Sequence, residues 1–202
     1  MSNENINKKN KIIITAIIIA FIGPLILSWF VFNHTNFLEV RGTSNYGQII
    51  TPPIQLEDLS LIDPLNTERN DTLHGKWSMI YVTELCDKVC MKNIYRMRQI
   101  HLAMGKHSLR VQKVLFLTDQ NVDELPALLV NYAGQQVINI DAIDSDVLLD
   151  KFRLKNDSNP LKAERIYISD PLGNLMMSYP PDINPKGILK DLKKLLRASR
   201  IG

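Results

Sequence analysis

The chain contains two cysteines, placed four residues apart in Cys86-Asp87-Lys88-Val89-Cys90. A pair at this spacing can be a disulfide, two free thiols, or a soft-metal site holding Cu(I) between two thiolates. On a regular helix, residues four apart face the same way, with Cβ atoms about 5–6 Å apart. A disulfide draws them to about 3.8 Å. Bridging therefore requires Cys86 to lie just outside a helix and lean back toward Cys90. A bridge over so few residues removes little chain entropy, so it suits redox or metal chemistry better than stapling a fold.

The flanking residues must position the pair. Before it runs Trp77-Ser78-Met79-Ile80-Tyr81-Val82, whose aromatic and β-branched content predicts a buried strand. After it, from Met91 to Ile100, apolar residues recur at helical spacing. The pair thus sits where a strand ends and a helix begins. Free backbone N–H groups and the positive helix end are expected to face the first sulfur and to make that thiol more reactive. Cys86 is then the attacking thiolate and Cys90 the resolving thiol. Asp87 opposes thiolate formation and Lys88 favours it.

The rest of the chain predicts further alternation. Val111–Thr118 reads as a second strand, Asp123–Tyr132 as a helix, and Val137–Ile140 as a third strand. Asp144–Phe152 reads as a short helix capped by Asp144 or Ser145, and 155–160 as a polar loop. Ile166–Ile168 and Leu175–Tyr179 flank the turn signature Asp170-Pro171-Leu172-Gly173-Asn174, which predicts a hairpin. Asn184-Pro185 opens a last helix with Ile188, Leu189, Leu192, Leu195 and Leu196 on one side. Lys186, Lys190, Lys193, Lys194 and Arg197 form its solvated side. Strand, cysteines, helix, strand, helix, strand, helix, hairpin, helix is an order that other α/β folds also allow; the cysteines at the first strand–helix junction narrow it to an α/β thioredoxin-like sandwich, a central mixed sheet with flanking helices.

Ahead of this domain, residues 12–32 carry no charge, and as a helix these 21 residues span about 31 Å, matching a bilayer core. Trp29, Phe30 and Phe32 mark an interfacial edge. The run is longer than a signal-peptide core, and Ser28–Phe32 is a poor cleavage site. Lys8, Lys9 and Lys11 precede the span, whereas Arg41 is the one basic residue soon after it. The expectation is a single-pass anchor in the inner (cytoplasmic) membrane, with the C-terminal domain on the periplasmic face. There thiol chemistry can run in the oxidising direction. The segments are then 1–11 cytoplasmic, 12–32 transmembrane, 33–70 a tether with lead-in strands, and 71–202 the thioredoxin-like domain. Within the tether, Thr51-Pro52-Pro53-Ile54 is an extended element. Ile54–Leu56 and Leu59–Leu61 read as short edge strands, and 66–72 as a polar turn. A net charge of +3 over 202 residues gives no reason to expect nucleic acid.

Gly75–Tyr81, the CxxxC of Cys86 and Cys90, Leu115-Phe116-Leu117-Thr118-Asp119 and Ile166–Gly173 together resemble the Sco/SenC proteins, over about residues 54–198 and including the anchor. The resemblance implies a membrane-anchored thioredoxin fold that takes part in assembling the copper centre of cytochrome c oxidase. Family members carry proline after CxxxC, where this chain has Met91. They also carry a histidine, as third copper ligand, shortly before the Asp-Pro-x-Gly hairpin, where this chain has Asn159-Pro160-Leu161-Lys162-Ala163-Glu164. His34 lies beside the span, His74 at the opposite end of the main strand, His101 about 16 Å along the cysteine helix, and His107 beyond it. None is placed to complete a cysteine site. Met91, a soft thioether beside Cys90, is a conceivable third ligand or a packing residue.

Two function classes are implied. The first is thiol–disulfide exchange through Cys86 and Cys90 during oxidase assembly. The second is a Cu(I) carrier using the same two thiolates as metal ligands. A non-catalytic, membrane-tethered scaffold with an inert disulfide is the third reading. No cofactor is certain from the residues, and copper is the possible one, through the two thiolates and the resemblance. The implied partners are the membrane and either a cytochrome c oxidase subunit or another copper or thiol assembly factor. The loss of the family histidine favours the redox reading.

Overall fold

The structure is a computed structural model that describes residues 2–34, 44–66, 70–118, 124–138, 145–154, 159–199 and 201. It divides into two compact units, Met1–Ser44 and Asn45–Gly202. The first unit holds helix α1, Ser2–His34. Within it Asn10–Val31 has a mean hydropathy of 2.5 and is long and apolar enough to cross a membrane. Pro24 lies inside this helix, as membrane helices tolerate.

The second unit is an eight-stranded mixed sheet with helices on it. Its elements are β1 Gln48–Gln55, β2 Ser60–Ile62, β3 Asn70–Thr72, β4 Trp77–Thr83, α2 Lys88–Ala103, β5 Val111–Leu117, α3 Leu125–Leu129, β6 Gln135–Ile138, α4 Ser145–Lys151, β7 Ile166–Ser169, β8 Asn174–Tyr179 and α5 Pro185–Ala198. A 3₁₀ turn, Gly105–Arg110, joins α2 to β5. The strand order is β1-β8-β7-β4-β5-β6-β2-β3. The pairs β4/β5 and β5/β6 are parallel, and the other pairings are antiparallel. At the centre Ile80 pairs with Val114 on one side and Tyr167 on the other. Every residue of β4 and β5 is buried, which explains their mostly apolar character, with Ser78, Thr83, Gln112 and Lys113 as buried polar members.

The pleat divides β4 between two cores. Trp77, Met79 and Tyr81 pack with Ile94, Met97, Ile188 and Leu192 of α2 and α5. Ile80 and Val82 pack with Phe116, Leu148, Phe152 and Tyr167. In that second core Phe152 stacks edge-on to Tyr167 at 5.2 Å and accepts the Tyr167 hydroxyl hydrogen bond on its carbonyl. The hairpin turn requires Gly173: its φ is +82°, and a Cβ there would lie 2.8 Å from the Leu56 carbonyl oxygen.

Several expectations shift. The extended Thr51–Ile54 stretch lies inside β1, an edge strand, where proline costs no ladder bond on the open side. The strand at 60–62 is internal, because Asn70–Thr72 pairs against it where a turn is expected. Asn-Asp-Thr carries no apolar alternation, so nothing in its composition announces a strand. Helix α3 stops at Leu129, short of Tyr132. Asp123, Asn139, Ile140, Asp144 and 155–158 lie outside the described residues.

The second unit begins before the strands of 71–202. Asp191 of α5 is buried and accepts Tyr46 N–H at 2.8 Å, Gly47 N–H at 3.0 Å and the Tyr179 hydroxyl at 3.2 Å. Burial, and then the neighbouring Asp191 carboxylate, hold Tyr179 above its ordinary range, so it stays protonated and donates.

Candidate functional site

The site is built where β4 ends. Thr83 Oγ1 donates to the Leu85 carbonyl at 3.0 Å, folding the chain over at Glu84-Leu85. Thr118 N–H donates to the Thr83 carbonyl at 3.2 Å and holds the ends of β4 and β5 together. Asp87 then caps α2: its Oδ1 accepts Val89 N–H at 2.9 Å and Cys90 N–H at 3.0 Å. Cys86 is left outside the helix and Cys90 falls in its first turn, as the spacing argument requires. The two form a disulfide with Cα atoms 5.0 Å apart, inside the range such a bond needs.

The sulfurs differ in exposure. Cys90 is fully buried in the core under α2, while Cys86 is half-buried at the rim. Leu85 beside it is exposed. Arg96, two turns along α2, fixes the helix: its guanidinium donates to Asn93 Oδ1 at 3.1 Å, Pro181 O at 2.9 Å and Ile183 O at 2.7 Å. Burial holds Tyr81, on β4 beneath the site, above its ordinary range, a push partly offset by hydrogen bonding to Asn93.

One expectation is corrected here. The helix N–H groups expected to face the Cys86 sulfur are taken by Asp87 instead. A short carboxylate one residue before a helix reaches these donors better than a thiolate two residues before it, and its charge offsets the helix dipole. The sequence signal was Asp immediately before the helical run.

Leu161, Lys162 and Glu164, ahead of β7, reach the cysteine turn. A cleft of about 260 Å³ beside the cysteine turn is lined by Tyr81, Glu84, Asp87, Val89, Lys162 and Glu164. Glu164 adopts a φ of +50°, a conformation uncommon for a residue with a side chain. The carboxylates and phenol of the cleft are hard donors, poorly matched to a soft metal. The histidines are engaged elsewhere: His74 pairs with Asp58 at 3.8 Å, and His101 Nε2 contacts the Ser108 and Val111 carbonyls, each at 3.0 Å. His107 lies in the 3₁₀ turn, and the His34 side chain lies outside the described residues. Among the described residues no group of three His, Cys, Asp or Glu side chains could share a metal. Met91 does approach: its Sδ lies 3.8 Å from Cys86 Sγ, so three sulfurs meet at one corner of the domain.

Solved structures share this architecture. Bradyrhizobium japonicum ScoI with copper bound superposes with a TM-score of 0.54 at 18% identity, covering 69% of this chain and 98% of that one. Yeast Sco1 with copper bound gives 0.57 at 15%, covering 73% and 95%. BsSco, a member of the Sco family of cytochrome c oxidase assembly proteins in which a disulfide switch was identified, gives 0.51 at 14%, covering 72% and 96%. At these identities the likeness is one of fold. No curated protein matches the sequence. Residues 77–199, from β4 through α5, match the family described as transmembrane-like, thioredoxin-like, C-terminal domain, and the chain therefore belongs to that family.

Proposed function

We propose that this protein is a membrane-anchored, Sco/SenC-type factor of cytochrome c oxidase assembly that works by thiol–disulfide exchange through Cys86 and Cys90. The observation that carries the reading is the unequal burial of a bonded pair at a strand–helix junction: Cys86 half-buried, Cys90 at 0% exposure. A partner can reach the first sulfur, and the second is shielded until the first has reacted. The Sco fold, with its described disulfide switch and assembly role in BsSco, supports the setting.

In the reducing direction, the Cys86 thiolate attacks a disulfide of the partner. One partner sulfur leaves as a thiolate and takes a proton. Cys90, losing its own proton, then attacks Cys86 Sγ in the mixed disulfide and releases the second partner sulfur. Two electrons pass to the partner, and the Cys86–Cys90 bond forms. The experiment is trapping: Cys90→Ser accumulates a mixed disulfide with a partner in membranes, and Cys86→Ser does not. Equal trapping by both variants overturns the order of attack, and trapping by neither overturns the exchange reading.

A second reading is favoured by one observation, the Met91 sulfur beside the pair. In its reduced form the protein then carries Cu(I) as cargo to the oxidase copper centre, with Cys86 and Cys90 thiolates as ligands. The copper-bound Sco structures of the same fold support it. Removal of either thiol abolishes tight Cu(I) binding under this reading. In either case the domain works outside the cytoplasm, tethered by α1 in the cytoplasmic membrane.

A further inference from the structure

The cysteine corner contains a third soft atom that neither the exchange chemistry nor a two-thiolate site uses. Met91 follows Cys90 in the first turn of α2, and its Sδ lies 3.8 Å from Cys86 Sγ. It occupies the same rim as Cys86: both are half-buried and packed against the core cluster in which Cys90 is fully buried. Thioether sulfur is a weak hydrogen-bond acceptor but a good ligand for a soft, monovalent d¹⁰ ion.

The distance fits such an ion. Thiolate sulfur sits about 2.3 Å from a first-row d¹⁰ ion. Three sulfurs at that distance, arranged at 120° in one plane, are spaced about 4.0 Å from each other. The Met91–Cys86 separation already has nearly this value in the oxidised protein. Reduction need only release Cys86 from Cys90 by breaking their bond. Methionine's three rotatable bonds let Sδ follow a small shift. Among the described residues the cleft beside the site offers Tyr81, Glu84, Lys162 and Glu164, whose oxygen and nitrogen atoms are hard donors, and Asp87 is engaged as the helix cap. The soft donors described at this corner are the three sulfurs.

We propose that Met91 supplies the third ligand of a trigonal, all-sulfur Cu(I) site completed by the thiolates of Cys86 and Cys90. The inference rests on the copper-carrying reading above and adds to it the ligand, the geometry and the oxidation state. Loading begins from the disulfide: a dithiol reductant gives up two electrons and two protons, becoming a disulfide itself, and leaves Cys86 and Cys90 as thiols. Cu(I) then displaces both thiol protons and gains the neutral thioether. The disulfide thereby excludes the metal, and the metal protects the dithiol from oxidation. A site of three sulfurs without imidazole favours Cu(I) over Cu(II), which takes nitrogen and oxygen more readily, and its three-coordinate plane differs from the tetrahedral set that Zn(II) takes.

The test uses the full chain in detergent, reduced with dithiothreitol, freed of it without oxygen, and titrated against Cu(I) held by bicinchoninate. Met91→Leu keeps volume and apolar packing and removes only the sulfur. The expected result is that wild type withdraws Cu(I) and Met91→Leu binds at least about 10–100-fold more weakly, no less than loss of an outer-shell partner usually costs. Copper X-ray absorption should count three sulfurs in wild type and two in the variant. Met91→His should restore affinity with one nitrogen in place of one sulfur. A two-sulfur shell in wild type overturns the proposal without any variant having to fold. Equal affinity in Met91→Leu overturns it too and leaves the two-thiolate carrier standing. A wild-type protein that takes no Cu(I) overturns the carrier reading and this inference together.

Discussion

Asp87 Oδ1 accepts the backbone N–H of Cys90 at 3.0 Å, so a carboxylate, and not a thiolate, occupies the mouth of the cysteine helix. The same oxygen takes Val89 N–H at 2.9 Å. This tempers the pair: the helix end that would activate Cys86 is already neutralised. Asp87→Asn preserves a capping oxygen but removes the charge. We expect Cys86 in the reduced Asp87→Asn protein to react faster with iodoacetamide near neutral pH, because one repulsive charge beside the thiolate is gone. Asp87→Ala removes the cap as well and should lower stability by about 1 kcal/mol. Alkylation followed by mass spectrometry, with urea unfolding, separates the two. An unchanged rate in Asp87→Asn means that the Asp87 charge does not govern reactivity.

Much of this was legible because β4 and the first turn of α2 are both dictated locally. Trp77–Val82 is apolar at every position but Ser78 because β4 is covered on both faces and flanked by β5 and β7. The four-residue spacing required Cys86 to lie outside the helix, and it does. The hairpin followed from Asp170 and Gly173: Asp170 Oδ1 accepts Leu172 and Asn174 N–H at 2.9 and 2.8 Å, and Gly173 supplies a positive φ. What was not legible depended on distant partners. Asn70–Thr72 is a strand only because β2 lies beside it. Asp191 looks like a solvated helix residue until Tyr46, Gly47 and Tyr179 are seen to surround it. The sulfur contact between Cys86 and Met91 depends on how the turn closes, which spacing alone leaves open.

Asp191 ties the start of the domain to its last helix, and its loss leaves three donors without their acceptor. Asp191→Ala should cost about 2–4 kcal/mol, since each orphaned buried donor carries about 1–3 kcal/mol and part of the group regains water. Asp191→Asn keeps one acceptor oxygen and should cost less. Denaturant unfolding of both variants checks this ranking. Equal and small losses would show that the segment at 45–47 is not held by this side chain.

His101 makes stability depend on pH. Burial, and then the charge of nearby Lys113, hold its pKa below the ordinary 6.5, while hydrogen bonds to the Val111 and Ser108 carbonyls oppose the shift. The unfolded chain therefore binds the proton more readily than the folded one just below pH 6.5. The contribution of neutral His101 is complete above that value and is lost as the pH falls through the lower, folded pKa. Melting temperature should fall on acidification from neutral pH, and His101→Gln should flatten that part of the profile. A profile identical in the variant would assign the acid sensitivity to other groups.

The anchor makes the last prediction. Residues Asn10–Val31 form a helix long and apolar enough to cross a membrane, and Lys8, Lys9 and Lys11 lie at or before its first turn. Short, lysine-bearing flanks are retained in the cytoplasm, so the other end of the span and everything after it should face outward. The redox reading needs this orientation, because cytosolic reductants would keep Cys86 and Cys90 as thiols. A periplasmic-type alkaline phosphatase fused after Gly202 should be active, and a cytoplasmic β-galactosidase at the same point should be inactive. Replacing the three lysines with glutamine should weaken that contrast by removing the retention signal. Carbonate extraction should leave the full chain in the membrane fraction and release a form beginning after His34. A fusion active only in the cytoplasm would place the cysteines in a reducing compartment and remove the setting that both the exchange and the copper-carrying readings require.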